Sequence, residues 1–403
     1  MEKTSKAKGS NSILNLCSYY IGNKLYMNLF GELSKAIQFQ YVYVPIRSIS
    51  LNNKNMLTKS NVVIKYDNIL KRYHRILYGS KIKSQVKKIS NLVNIRSFDL
   101  IHAHTWFSDG GVAYLLKKKF GINYIVTIRN TDLNFFYKYA FHYRSFAHSI
   151  LRQASKVTFL SPSYLERLCE VLPERISEEV KKKSIIIPNG IDRTWYEARK
   201  IDNPGNIGQK LNLVFIGSLT KNKNVETVIN LLESLKSHSK IDVNLNIVGN
   251  GPLMDSLKEL AAKKGLENHI VFHGQSKIEK LISIVDKSDI LIVPSFTETF
   301  GIVYPECMSR GVPVIYTQNE GFDGFFENGQ VGCAVPPADL LEIEKAVFYI
   351  LENYDQISIN CSQLAKQFTW ENIGSKYIDL YTKIIEKNKD LKLTLSEDPS
   401  HEN

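Results

Sequence analysis

Residues 290–306 run Ile-Leu-Ile-Val-Pro-Ser-Phe-Thr-Glu-Thr-Phe-Gly-Ile-Val-Tyr-Pro-Glu. The apolar run Ile290 to Val293 reads as a buried strand, and Pro294-Ser295 ends it. Beyond it come Glu298, a glycine at Gly301, and Glu306 at the start of a helical pattern. In an open α/β sheet, ligands sit beyond the carboxyl ends of strands and at helix N-termini. Two carboxylates around a glycine turn occupy that position here. The same residues also fit a plain capped helix after a strand. The rest of the chain has to choose.

Working outward, the same rhythm repeats on both sides. Downstream, Gly311-Val-Pro313 introduces a strand at Val312 to Ile315, and Trp370 to Ile385 reads as a last helix. Upstream, strands at Leu211–Ile216, Val243–Val248 and Ile270–Phe272 alternate with helices at Val225–Leu235 and Ile278–Val285. A second series precedes these, with strands at Ile13–Cys17, Tyr41–Pro45, Phe98–His104, Tyr124–Ile128, Val157–Leu160 and Ser184–Ile187. Helical patterns at Leu25–Ile37 and Gly110–Phe120 fall between them. Strands alternating with helices predict parallel, doubly wound sheets. Residues 199–210 are polar, carry Pro and Gly, and read as a linker. The expected fold is therefore α/β, with two doubly wound Rossmann-like domains facing a cleft. The predicted divisions are 11–200, 206–370, a C-terminal helix at 371–388 crossing back to the first domain, and a disordered tail at 389–403.

A chain of 403 residues is comfortable for two cores. Its five cysteines form no Cys-x-x-Cys pair, which argues against a zinc site or a disulfide framework and fits a reducing compartment. The polar N-terminus and the absence of a long apolar run predict neither a secretory signal nor a membrane span. A cytoplasmic protein is expected, peripheral on the inner face of the membrane if it meets one. The net charge of +12 is uneven: residues 1–200 carry 33 Lys/Arg against 13 Asp/Glu, residues 201–403 carry 19 against 27. A basic first half calls for an anionic membrane surface, nucleic acid or an anionic substrate, or is simply a solvated lysine-rich surface. Residues 69–89 hold seven Lys/Arg and no acid, with apolar residues at helical spacing. They predict a basic amphipathic helix, either lying on an anionic bilayer or packing its stripe inward.

Several motifs in order resemble the retaining glycosyltransferases of the GT-B fold, family 4. They are His102-Ala-His104, Ile187-Pro-Asn-Gly-Ile-Asp192, Phe215-Ile-Gly-Ser-Leu-Thr-Lys-Asn-Lys223, Val248-Gly-Asn-Gly-Pro252, the Glu298–Glu306 stretch, Gly311-Val-Pro-Val314 and Phe368-Thr-Trp370. The resemblance spans about Leu14 to Tyr381. It implies a sugar moved from a nucleotide-sugar donor to a saccharide or lipid-linked acceptor in surface polysaccharide biosynthesis, such as lipopolysaccharide or capsule. No metal or other cofactor is implied. Such a transfer breaks an anomeric C–O bond through an oxocarbenium-like state and releases a diphosphate, whose growing charge needs fixed cations and N–H donors.

The resemblance places the donor on Gly217, Ser218, Lys223, Glu298, Thr299, Phe300, Gly301, Ile302 and Glu306. Lys223 meets phosphate, the backbone N–H groups of Gly301 and Ile302 add donors, Glu306 accepts from the ribose and Glu298 from the sugar ring. Gly22, Asn23, His104, Asn130 and Asp132 are the acceptor-side candidates, and Glu298, Arg129 and Lys223 the expected catalytic set. A histidine in a strand is as readily a core residue, so His104 stays open between the two roles. Two departures stand out: relatives often carry arginine at Ser218 and histidine in the turn at Arg129-Asn130. An arginine there binds anions but is a poor proton acceptor, because it stays charged. The alternatives are a nucleotide-sugar epimerase on the same fold, or a non-catalytic anion- or nucleic-acid-binding protein using the basic half. No nucleic-acid motif supports the last.

Overall fold

The computed structural model describes residues 11–22, 24–197, 210–238 and 241–396. Two compact units share the chain: one holds residues 1–160, 165–187 and 370–403, the other residues 161–164 and 188–369.

Unit 1 is built on seven strands: β1 (Ser12–Leu16), β2 (Phe39–Pro45), β3 (Val62–Asp67), β4 (Leu100–Ala103), β5 (Tyr124–Thr127), β6 (Lys156–Phe159) and β7 (Ser184–Ile186). Their order is β3-β2-β1-β4-β5-β6-β7, and every pair is parallel. β1, β4 and β5 are buried along their whole length. That is why they read as mainly apolar runs, broken only by Ser12, Asn15, His102 and Thr127: helices cover both faces of a parallel sheet. β3 escapes the sequence pattern. It is an edge strand, and its Val62-Val-Ile-Lys-Tyr-Asp67 alternates buried and exposed positions among polar neighbours.

The helix Leu25–Leu33 ends earlier than its pattern suggests, and it packs against the C-terminal helix Trp370–Ser396. Leu29, Phe30 and Leu33 share one core with Ile373, Tyr377, Tyr381 and Ile384. The C-terminal helix passes residue 388, so 389–396 is helical rather than the expected tail. Five of those eight residues are Lys or Leu, good helix formers, and no Gly or Pro interrupts between Gly374 and Pro399. The rest of that tail lies outside the described residues. Residues 69–89 are not one helix. A 3-10 turn, Arg72–Arg75, precedes the helix Tyr78–Leu92, which buries Tyr78, Ile82, Gln85 and Ile89 inward.

Unit 2 has six strands: β8 (Lys210–Ile216), β9 (Asp242–Val248), β10 (Ile270–Gly274), β11 (Ile290–Val293), β12 (Val314–Thr317) and β13 (Gly332–Val335). They are parallel in the order β10-β9-β8-β11-β12-β13. β13, a four-residue edge strand, falls in a stretch the sequence pattern leaves without a strand. The chain enters unit 2 at Pro188, before the predicted division at 200. Two contacts explain this: Ile191 pairs with Thr369, and Trp195 is fully buried with its carbonyl held by Arg310. The predicted linker falls on residues 199–210, of which only Lys210 is described.

Each sheet reverses its strand order once, between β1 and β4 and between β8 and β11. The loops leaving those strands diverge to opposite faces and leave a crevice beyond the strand ends. Among the described residues no helix is long and apolar enough to cross a membrane. The five cysteines are free and buried.

Candidate functional site

The second switch point gathers what the sequence scatters. After β8 the chain turns through Gly217 and Ser218, and the Gly217 N–H donates to the Val248 carbonyl at 3.0 Å. Gly249, leaving β9 at φ +143°, lies so close that an added Cβ would stand 1.8 Å from the Gly217 oxygen. The Gly-Asn-Gly-Pro motif is thus a close backbone approach at the rim.

Lys223 ends a 3-10 turn, and Asn224 follows in the left-handed region at φ 55°. Buried Asn224 donates to the carbonyls of Pro294 (3.1 Å) and Pro337 (2.6 Å), tying the turn to the end of β11. Asn222 donates to the Thr297 carbonyl at 2.9 Å and accepts from its hydroxyl at 2.6 Å. Those anchors aim Lys223 at Glu298, with Nζ and Oε2 2.5 Å apart and side chains 20% and 17% exposed. The other Glu298 oxygen accepts from the Thr299 N–H at 3.0 Å, while the Glu298 N–H donates to Glu320 at 2.8 Å. Glu320, Asn222 and Asn224 carried no sequence signal beyond polar residues near a turn.

Gly301 turns the chain at φ +74°, and an added Cβ would meet the Tyr304 ring at 2.2 Å. That ring is fixed from below by its hydroxyl, which donates to the Val293 carbonyl at 2.8 Å. Gly301→Ala is expected to cost more than the roughly 1–2 kcal/mol of a left-handed alanine, because the ring cannot give way. Thermal unfolding of the variant checks this; an unchanged midpoint refutes it. Gly301 and Ile302 lead into the short helix Val303–Met308, so their N–H groups precede its first bond, the Tyr304 N–H donating back to the Gly301 carbonyl at 3.0 Å. Phe300 is buried at 2% exposure among Phe322, Phe325 and Phe368, so only its backbone can face a ligand. That corrects its side chain from contact to anchor.

Glu306 sits on the same helix, partly exposed. Burial pushes its carboxyl up to about 8, and Asp192 adds to the rise. The Trp195 indole N–H, buried without a well-formed hydrogen bond, pulls the other way. The rise favours the protonated carboxyl of Glu306 at neutral pH.

The acceptor-side candidates of unit 1 fare differently. His104 is fully buried, edge-on to Tyr26 and Phe30, with Nε2 3.2 Å from Asn15 Oδ1. Burial, His102 and Arg129 hold it well below the usual histidine range. It is a neutral core residue, and the acceptor-facing alternative does not survive. His102 is likewise buried, bonding Tyr381 (2.6 Å) and Thr127 (2.9 Å), which ties the C-terminal helix to the sheet. Asp132 is 1% exposed and accepts backbone N–H groups from Trp106, Phe107 and Arg129 at 2.9–3.0 Å. Its carboxylate fastens the loops after β4 and β5 and has no face left for an acceptor. Burial raises it to about 6, against those three donors.

Arg129 is partly exposed, with its guanidinium over the Tyr26 ring at 5.2 Å and Nε 3.4 Å from the His104 carbonyl. Asn130 is partly exposed and accepts from Asn134 at 2.6 Å. Gly22 lies exposed in a turn closed by its N–H to the Tyr19 carbonyl, and Asn23 falls outside the described residues. The first switch point also holds a group the sequence did not flag. Asp109 accepts the Ser18 N–H and hydroxyl, and Lys81 donates to Ser108 at 2.6 Å. Among the described residues, no three His, Cys, Asp or Glu side chains come together as a metal site.

Comparison with known proteins agrees with this geometry. The profile described as "Glycosyl transferases group 1" matches residues 197–368, and "Glycosyltransferase Family 4" matches residues 52–195. An uncharacterized glycosyltransferase of Methanocaldococcus jannaschii is 26% identical over 323 residues, 77% of this chain and 82% of that protein. Anabaena HepE in complex with UDP and glucose superposes with a TM-score of 0.66 at 18% identity, covering 93% of this chain and all of that one. The lipopolysaccharide outer core galactosyltransferase WaaB, in its apo form, gives 0.69 at 14% identity, covering 92% and 99%. Two doubly wound sheets, matched in turn by these two profiles, place the chain among the GT-B glycosyltransferases of group 1, and it belongs to that family.

Proposed function

We propose that this glycosyltransferase moves a sugar, with retention and without a metal, from a nucleotide sugar to a saccharide or lipid-linked acceptor in surface polysaccharide assembly. The observation that carries the donor half is the Lys223–Glu298 pair at the β8/β11 switch point, with Glu306 five residues past the Gly301 turn. Among the described residues, Lys223 is the cation of that constellation. It meets the diphosphate as charge builds on the leaving oxygen, while the free N–H groups at Gly301 and Ile302 add fixed donors. Carboxylates repel phosphate, so Glu298 and Glu306 accept hydroxyls of the sugar and the ribose. HepE, whose structure carries UDP and glucose, makes a uridine nucleotide the first donor to try. WaaB makes a saccharide of the cell surface the first acceptor.

Retention is supported by what surrounds Arg129. An inverting transfer needs a general base at the acceptor hydroxyl. Arg129 stays charged, His104 is sealed in the core, and the oxygens of Asp132 are taken by backbone. The test is turnover of UDP-glucose and other nucleotide sugars in excess EDTA, with the anomer followed by NMR. A product of opposite configuration ends the retaining proposal, and loss of turnover in EDTA ends metal independence.

Glu306 gives this site a pH dependence. Hydroxyls donate to a carboxylate, so binding competes with the proton held up to about pH 8. Affinity for an intact nucleotide sugar is expected to rise with pH up to about 8 and level off above it. Glu306→Gln flattens that rise. The stability effect has the opposite sign. A carboxyl raised from its unfolded value penalises the fold as pH climbs through 8, and the penalty vanishes in the variant. Equal titration curves for the two proteins refute the assignment.

A further inference from the structure

Two segments of unit 1 contain no acidic residue: 68–98, with eight Lys/Arg, and 133–160, with four. In the fold they meet. Tyr78 packs on Tyr143 with ring centroids 4.6 Å apart, and on Phe146 and Phe107 at 6.1 and 6.4 Å. Phe107 stacks on Phe136, which abuts Phe135. Over this aromatic floor stand side chains that a water-facing surface does not need: Tyr73, Ile76 (82% exposed), Leu77, Phe135, Tyr139 and Phe141 (71% exposed). Lys71, Arg72, Lys138 and Arg144 are exposed among them. The helix Tyr78–Leu92 turns its apolar stripe inward, so the outward apolar surface belongs to the turns before it and to the irregular segment 132–143.

A contiguous apolar patch of this kind marks an interaction surface. Aromatic and aliphatic tips ringed by basic residues, with no acid in either segment, match an anionic lipid interface, which takes the apolar tips below the headgroups and the cations among them. We infer that this patch docks unit 1 on an anionic bilayer. A nucleic acid would use the charges but leave Ile76 and Leu77 without purpose. A second copy of the chain would bring the same positive charge against itself.

This inference does not rest on the donor site, and its test uses no substrate, so either reading can fail alone. The full chain is sedimented with phosphatidylglycerol–phosphatidylcholine vesicles and with phosphatidylcholine vesicles. Binding is expected to the anionic vesicles, weakening as salt is added. Ile76→Ser/Leu77→Ser/Phe141→Ser and, separately, Lys71→Glu/Arg72→Glu should each lower it at least about tenfold. All five positions are exposed, so the thermal midpoint and near-UV dichroism should stay those of the wild type. Four results overturn the proposal: no binding to anionic vesicles, equal binding to neutral ones, a serine variant that binds like the wild type, or a lipid-free dimer that the serine variant abolishes. Duplex nucleic acid that binds equally well to wild type and serine variant, and displaces the vesicles, also overturns it.

Discussion

Lys223→Ala is expected to lower affinity for UDP or another donor nucleoside diphosphate about tenfold to a hundredfold, read by calorimetry. A charge-assisted hydrogen bond contributes about 1.5–3 kcal/mol, and each 1.4 kcal/mol is a factor of ten. The ammonium is bonded to Glu298 at 2.5 Å, so a diphosphate competes with that carboxylate. Alanine at 223 removes the cation and leaves Glu298 as an uncompensated negative charge. Glu298→Gln does the reverse. It frees Lys223, so diphosphate affinity is expected to hold or rise while sugar transfer falls. The two variants therefore separate, one losing the nucleotide and the other losing turnover. If both lose the nucleotide alike, Lys223 and Glu298 act only as a structural pair. If neither does, the donor binds elsewhere.

The second large effect lies in unit 1 and concerns stability. Asp132→Ala removes the acceptor of three backbone N–H groups, from Trp106, Phe107 and Arg129, two of them in fully buried chain. An unsatisfied buried donor costs about 1–3 kcal/mol, so a loss of about 3 kcal/mol or more is expected in urea unfolding. The burial that raises Asp132 to about 6 also fixes the sign with pH. Its folded value lies above the unfolded one, so the carboxylate weakens the fold as pH climbs through 6, and the net gain comes from the bonds. Intact nucleotide affinity in this variant would show that unit 2 is untouched. If Asp132→Ala unfolds like the wild type and loses transfer, Asp132 serves the acceptor after all.

How much of this was legible in sequence differs by element. β1, β4, β5 and β11 are buried on both faces, so water is excluded from every residue and the pattern is a mainly apolar run. β3 and β13 sit at sheet edges, where half the positions face solvent or the strand is too short to register. The Glu298–Glu306 turn was legible because glycine and two carboxylates lie within one short stretch. Lys223 was named there by resemblance, against phosphate; its ion pair with Glu298 was not legible, since the two lie 75 positions apart and meet only through β8 pairing beside β11. His104 and Asp132 show the limit most plainly. A histidine and an aspartate at strand ends look alike whether they face a substrate or the protein. The sheet and its loops put Asn15, Tyr26 and Phe30 around one, and three N–H groups around the other.

The sequence by itself determined two doubly wound sheets, the glycine turn between Glu298 and Glu306 and a basic first half, because periodicity, glycine placement and net charge are properties of a chain. Tertiary structure alone decided which polar groups are spent inside the protein and which remain for a ligand. It also decided that Tyr78 meets Tyr143 and Phe146, which brings the segments around them together. Burial and partnership are set by whatever residues the fold brings alongside, and those neighbours are far apart in the chain.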